Sequence, residues 1–328
     1  MFDENFRPQD LVLLLLFCVS VPFYLTFLWI LHRNRQVQPF NSSFFRLCFF
    51  VGVGDVLSLL FIYGAGKIAL WAWFPGVNRF LVELDRGSHW LATGIVFFWS
   101  GCQWWQHQAV MLIAVNRMCA LCLPTLYNKL FAPHVMKWLY GGVIAASALV
   151  NTGLLSTGMK FVVTDNDTHS LYYFFVDPAH SVPVYIWWAV HVLGLATISA
   201  VCYTAAFGTM LYRMRYKTKS TIKSKKSTSS SHHDVKLLMV GFVTFLLEAL
   251  IALFYVLIVV ADGSGDVMYP AIEVFAWMNP YLVLMLSSSV RERYGQLLKM
   301  QGETTVSKVQ TIKVTQWGSR PTAKTAAN

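Results

Sequence analysis

The chain has 328 residues, of which 56% are hydrophobic and only 13% charged, with a formal net charge of +10. A soluble protein of this size carries roughly 25% charged residues to cover its surface, so these values exclude a soluble enzyme or binding module and place most of the chain in lipid. Its six cysteines sit in apolar stretches or beside basic ones, so no extracellular disulfide framework is visible, and small buried packing residues are expected.

Residues 1–10 are acidic, with Asp3, Glu4 and Asp10, unlike the basic start of a secretory signal. Leu11 to Leu31 has no charged residue and is long enough to cross a bilayer, so it is expected to stay as a first span. Six more apolar segments follow, at about 44–70, 90–115, 136–157, 183–212, 237–261 and 268–290. Runs of this length predict helices, because barrel strands would be about ten residues long and alternate in polarity. The expected fold is therefore all-α, a seven-helix transmembrane bundle over 11–294 followed by a flexible cytoplasmic tail over 295–328.

Lysine and arginine set the orientation. With the N-terminus outside, 21 of the 26 fall on the inner side, and of the 16 acidic residues ten fall outside and three inside. An even number of spans would leave one basic end outside. Asn166-Asp167-Thr168, after the fourth segment, is then an outer glycosylation acceptor, whereas Asn41-Ser42-Ser43 lies inside, beyond the reach of the transferase. The basic, serine-rich stretch 213–234 reads as a disordered inner loop touching anionic headgroups, with a partner-docking edge and serine phosphorylation as its functional additions.

Charged groups inside a bilayer cost about 2.5–3.5 kcal/mol each on insertion scales, so each needs a reason. Asp55 lies mid-way along the second segment, Glu248 is central in the sixth, and Glu273 sits two turns from Asn279-Pro280-Tyr281 in the seventh. Asp55 and Glu248 read either as neutral, hydrogen-bonded core acids or as functional groups; Glu273 reads as a ligand contact. Asn279 and Asp55 lie at similar depth and can bond directly. Pro280 kinks its helix and frees a carbonyl.

In the third segment, steps of three and four back from Arg117 pass Ile113, Val110, Gln106, Gln103 and Trp99. Arg117 and Gln103 are then about 21 Å apart along the axis. One face thus joins a cation at the inner mouth to a polar and aromatic patch in the outer half. His107 lies near that patch, and Trp188 and His191 reach the same depth from the fifth segment. With Trp277, Glu248 and Glu273 these compose a candidate small-molecule pocket. The alternative for each tryptophan is a lipid-facing interfacial belt, and for each histidine a packing residue. Arg117, preceded by Asn116 rather than an acid, can bond neighbouring helices in one state and a partner in another, a bistable element without a proton-dependent lock.

The order of these features, with span three ending in Asn116-Arg117, then Ala120, Pro124 and Tyr127, Asp55 in span two, and Asn279-Pro280-Tyr281 before Ser287-Ser288-Ser289, resembles a G-protein-coupled receptor. It is most similar to the nematode serpentine chemoreceptors of the Srg superfamily, of the Srv or Srg kind. The resemblance covers all seven spans and implies a rhodopsin-like architecture in the plasma membrane, sensory-neuron cilia included. It also implies a small-molecule ligand and a heterotrimeric G protein, with no enzyme activity, cofactor or nucleic acid. Asn116, Arg117, Pro124, Tyr127, Asp55, Asn279, Pro280 and Tyr281 would form the switch. The chain departs from the rhodopsin-like pattern in three ways. No cysteine pair ties span three to the second outer loop, span six has no proline, and span seven has no lysine for retinal. A transporter or gated channel would need repeats or matched broken helices, and neither is visible. A membrane metallohydrolase would need a third ligand beside His107 and His191 or an HExxH motif, and none occurs.

Overall fold

A computed structural model describes residues 8–67, 75–163, 171–220, 228–261 and 268–305. Long helices occupy Pro8–Arg33 (span one), Ser43–Phe61 (span two), Trp90–Cys122 (span three), Pro133–Val150 (span four), Ser181–Ser220 (span five), Thr228–Ala261 (span six) and Met268–Leu286 (span seven). Span two loosens into a π-helical turn at Ile62–Lys67, and span four resumes as Thr152–Thr157. Two strands, β1 (Met159–Val163) and β2 (Leu171–Phe175), form an antiparallel hairpin at one end of the bundle, with Met159 opposite Phe175. Short helices Pro75–Asp85 and Pro124–Leu130 lie between spans, and a final helix runs over Ser288–Thr305.

Among the described residues four helices, Leu11–Arg33, Ser43–Lys67, Pro133–Thr157 and Pro178–Arg215, are long and apolar enough to cross a membrane; Leu238–Phe254 and Val274–Leu286 are shorter apolar stretches. Span three is not among them, and its residues say why. Gln103, Gln106, His107, Gln108, Asn116 and Arg117 lower its hydropathy, and all six are buried inside the bundle. Lipid would not tolerate them on the outside, so span three takes the centre, packed against spans two, four, five and six. Leu15, Val19, Phe98, Leu149, Val190, Val201 and Met285 point outward instead, the apolar surface a multi-pass membrane protein presents to lipid.

The core splits into two layers. Toward the hairpin it is aromatic, built on Trp104, Trp188, Phe275 and Trp277; toward Arg117 it is built on Phe44, Leu47, Ile113, Met136 and Val283. Span one reaches the second layer because of Gly52. A Cβ there would lie 2.7 Å from the Leu28 side chain and 3.0 Å from the Tyr24 ring, so any larger residue would have to push these side chains aside.

One expectation is corrected. The stretch 213–234 is helical at both ends, since span five continues to Ser220 and span six begins at Thr228. Arginine and lysine are good helix formers, so span five runs on past its apolar segment. The final helix, Ser288–Thr305, carries into the first part of the stretch read as tail. Residues 221–227 and Asn166 lie outside the described residues.

Candidate functional site

One carboxylate gathers five helices. Asp55 of span two is completely buried, and its Oδ1 accepts from Gln106 Nε2 of span three at 2.7 Å. Its Oδ2 accepts from the Tyr24 hydroxyl of span one and from Asn279 Nδ2 of span seven, the latter at 2.9 Å. Asn279 Oδ1 in turn accepts from the Thr244 hydroxyl of span six at 3.3 Å. Pro280 follows inside the same helix and has no N–H, so the carbonyl one turn back, at Ala276, loses its usual donor and the helix can bend there. Tyr281 anchors the bend to span one, with its hydroxyl 2.9 Å from Ser20 Oγ and its ring stacked on Phe23 at 4.6 Å.

Toward the hairpin lies an aromatic layer. Trp104 is buried, with Trp188 at 6.0 Å and His191 at 5.2 Å between ring centroids, and its indole N–H donates to Asn151 Oδ1 at 2.9 Å. Gln108 Nε2 stands 3.5 Å from His191 Nε2. His107 stacks on Phe275 at 5.3 Å and holds its Nδ1 3.6 Å from Glu248 Oε1. Trp99 meets Tyr173 of β2 edge-on at 6.4 Å, and Gln103 and Trp277 are buried in the same half. Trp187, the neighbour of Trp188, is turned outward and half exposed, its indole N–H on the Val150 carbonyl at 3.1 Å. Glu273 belongs to span seven, but its side chain is outside the described residues.

At the opposite end, Arg117 is buried with its guanidinium 4.0 Å from the centre of the Phe44 ring, a cation–π contact. Asn116 Nδ2 donates to Ser43 Oγ at 2.8 Å, and Ser43 Oγ lies 2.8 Å from the Tyr127 hydroxyl. Tyr127 rides on the short helix that Pro124 opens at its first position, where a missing N–H costs nothing. The end of span three is therefore tied to the start of span two by uncharged hydrogen bonds. Arg291 of the final helix donates to the carbonyls of Leu284 and Met285, covering the end of span seven.

The hairpin is held without a disulfide; all six cysteines are free thiols. Thr93 of span three does the fastening. Its hydroxyl accepts from the Met159 N–H at 2.8 Å and donates to the His89 carbonyl at 2.6 Å. Gly158, at φ 68°, turns the chain from helix into β1 where a Cβ would meet Val176 at 3.1 Å. The Tyr173 hydroxyl donates to the Ala65 carbonyl at 2.6 Å, and burial holds its phenol above the ordinary range, so it stays a donor. Asp85 Oδ1 accepts from the Leu91 and Ala92 N–H groups at 2.9 and 3.2 Å, capping the start of span three.

The structure thus brings the expected residues into two groups along span three. Trp99, Gln103, His107, Trp188, His191, Glu248 and Trp277 fall in the hairpin half. Asn116, Arg117, Pro124 and Tyr127 fall at the other end, with Asp55, Asn279, Pro280 and Tyr281 between. Sequence reasoning missed Tyr24, Thr93, Thr244 and Asn151. A tyrosine or threonine within an apolar run carries no signal, but Asn151 interrupts span four and is polar enough to have been questioned.

A family model described as the serpentine-type seven-transmembrane G-protein-coupled chemoreceptor Srv matches residues 13–300. The chain is also similar to serpentine receptor class V-1 of Caenorhabditis elegans, 29% identical over 152 residues. That match covers 45% of this chain and 46% of the relative, so the chain aligns with about half of the curated relative's length. The family match runs from the first span through the final helix, and with the bundle built around a polar third span the chain belongs to the Srv family of serpentine seven-transmembrane chemoreceptors.

Proposed function

We propose that this chain is a chemosensory receptor of the plasma membrane. It takes a small molecule in the hairpin half of the bundle and passes the change to a heterotrimeric G protein at the Arg117 end. Trp99, Gln103, Trp188, His191, Trp277 and Glu273 would line the pocket, with His107 and Glu248 as its floor. The aromatic walls favour a largely apolar ligand, and the few polar groups would fix its orientation. The observation that carries the reading is the continuity of span three. One helix holds the aromatic layer at Trp104, the five-helix junction through Gln106, and Arg117 over Phe44. A ligand that favours one packing of the aromatic layer would thereby bias the opposite end.

The test is a chemical screen in cells expressing the chain, read by calcium or cyclic nucleotide. A responsive compound should lose its signal in Arg117→Ala at unchanged surface amount, and Trp188→Ala should shift its dose curve to higher concentration. Unchanged signalling in Arg117→Ala would remove that end as the coupling surface.

A further inference from the structure

Two ionisable side chains lie deeper than a ligand wall requires. Glu248 is completely buried, and neither of its oxygens is hydrogen-bonded among the described residues. Its ion-pair partner is His107 Nδ1 at 3.6 Å, which is likewise without a hydrogen bond. The stack on Phe275 of span seven fixes the imidazole from one side, 19° from parallel. From span five the Ser199 hydroxyl stands beside the carboxylate, and Tyr203 and His191 are the titratable groups near enough to sense the pair. From span two comes Asp55, whose oxygens are occupied by Tyr24, Gln106 and Asn279.

Burial dictates how many protons this pair holds. An uncompensated charge away from water costs several kcal/mol, about what a stable fold can spare. With one proton between them the pair is neutral overall, whether the proton sits on imidazole or carboxyl. Two protons leave a net positive charge and none leaves a net negative one, so the closed pair holds one. When span six moves off span three and water enters, the cost of a bare charge is relieved, so at high enough pH the open pair holds no proton while the closed pair still holds one.

We propose that His107 and Glu248 form a proton-binding latch between spans three and six, closed while it holds one proton and opened with release of that proton as span six departs. The latch lies one turn from Thr244, which holds the same stretch of span six to Asn279, and ten residues, about 15 Å, from Arg117. Span six has no proline at which to hinge, so parting one buried contact gives it a discrete point of release. By linkage, acid favours the closed state. The open-to-closed ratio rises with pH where the open pair has lost its proton, by at most about tenfold per pH unit.

This rests on the receptor reading only in supposing that the bundle has two packings, and its test needs neither ligand nor G protein. The full chain is placed in lipid nanodiscs with spin labels at Leu130→Cys and Met239→Cys, both exposed near the Arg117 end, in a Cys18→Ser, Cys122→Ser background. The distance distribution is measured from pH 5.5 to 8.5. A long-distance population that grows as the pH is raised is expected. Glu248→Gln should flatten the dependence, and so should His107→Phe, which keeps a ring against Phe275 should the first variant fail to fold. Distances that ignore pH in the unsubstituted latch, or a slope that survives either substitution, would overturn the proposal. A failed ligand screen would leave it standing.

Discussion

Asp55 shows how one side chain can decide whether a bundle holds together. Three donors from three helices converge on it, and among the described residues these side-chain groups donate to no other acceptor. Truncation to alanine would strand the Tyr24 hydroxyl, Gln106 Nε2 and Asn279 Nδ2 in a dry interior, at about 1–3 kcal/mol for each donor left unpaired. Asparagine should do far better. Its oxygen still accepts from Gln106, while its amide can donate to Tyr24, whose hydroxyl accepts as well as donates. Asp55→Ala should therefore lower the thermal midpoint of the detergent-purified chain much more than Asp55→Asn. Equal losses would mean that the donors find water and the junction contributes little. The sequence marks half of this junction. An acid in an apolar run and an asparagine before proline are conspicuous, and their equal depth follows from counting turns. Tyr24 is invisible because a tyrosine suits lipid, interface and core alike, and only the approach at Gly52 aims it at span two.

At the scale of elements, the hairpin and the third span depend on each other. β1 is fastened at its first residue by Thr93, and the start of span three is capped by Asp85, so the mouth of the bundle is organised by short-range hydrogen bonds. Thr93→Val keeps the volume but removes the acceptor for the buried Met159 N–H, worth about 1–3 kcal/mol locally. Amide exchange across 159–163 and 171–175 should accelerate by about tenfold or more, since each 1.4 kcal/mol is a factor of ten, while exchange in spans two and six stays unchanged. Protection that is unaltered across β1 would show the hairpin to be held by its aromatic packing on Trp99 instead. The existence and order of the spans could be read from hydropathy, because lipid imposes one length on every crossing helix. Where the helices end could not. Span five runs to Ser220 through basic residues that hydropathy assigns to a loop, and helix propensity outlasts the apolar segment. The hairpin was equally hidden, since five-residue strands between long apolar runs leave too short a period to register.

For the whole molecule, charge is arranged by end. Among the residues whose side chains the structure describes, Arg33, Arg35, Arg46, Arg117, Lys129, Lys137, Arg213, Arg215, Arg291 and Arg293 belong to the Arg117 end, against Lys67, Arg79, Arg86 and Lys160 toward the hairpin. Each basic residue near an anionic leaflet is worth about 1 kcal/mol, so an excess of six outweighs any single interaction in choosing an orientation. The Arg117 end should face the cytoplasm. An epitope at the N-terminus should then be labelled on intact cells, and one after the final helix only once the membrane is opened. Glycosidase should shift the mobility of the chain, and Asn166→Gln should abolish that shift. The reverse labelling would carry more than topology with it. The aromatic layer would then open toward the cell interior and Arg117 toward the outside, where no G protein exists to meet it. Pocket, latch and coupling surface stand or fall on the side of the membrane that the hairpin occupies, which makes the tag experiment the one to perform before any ligand is sought.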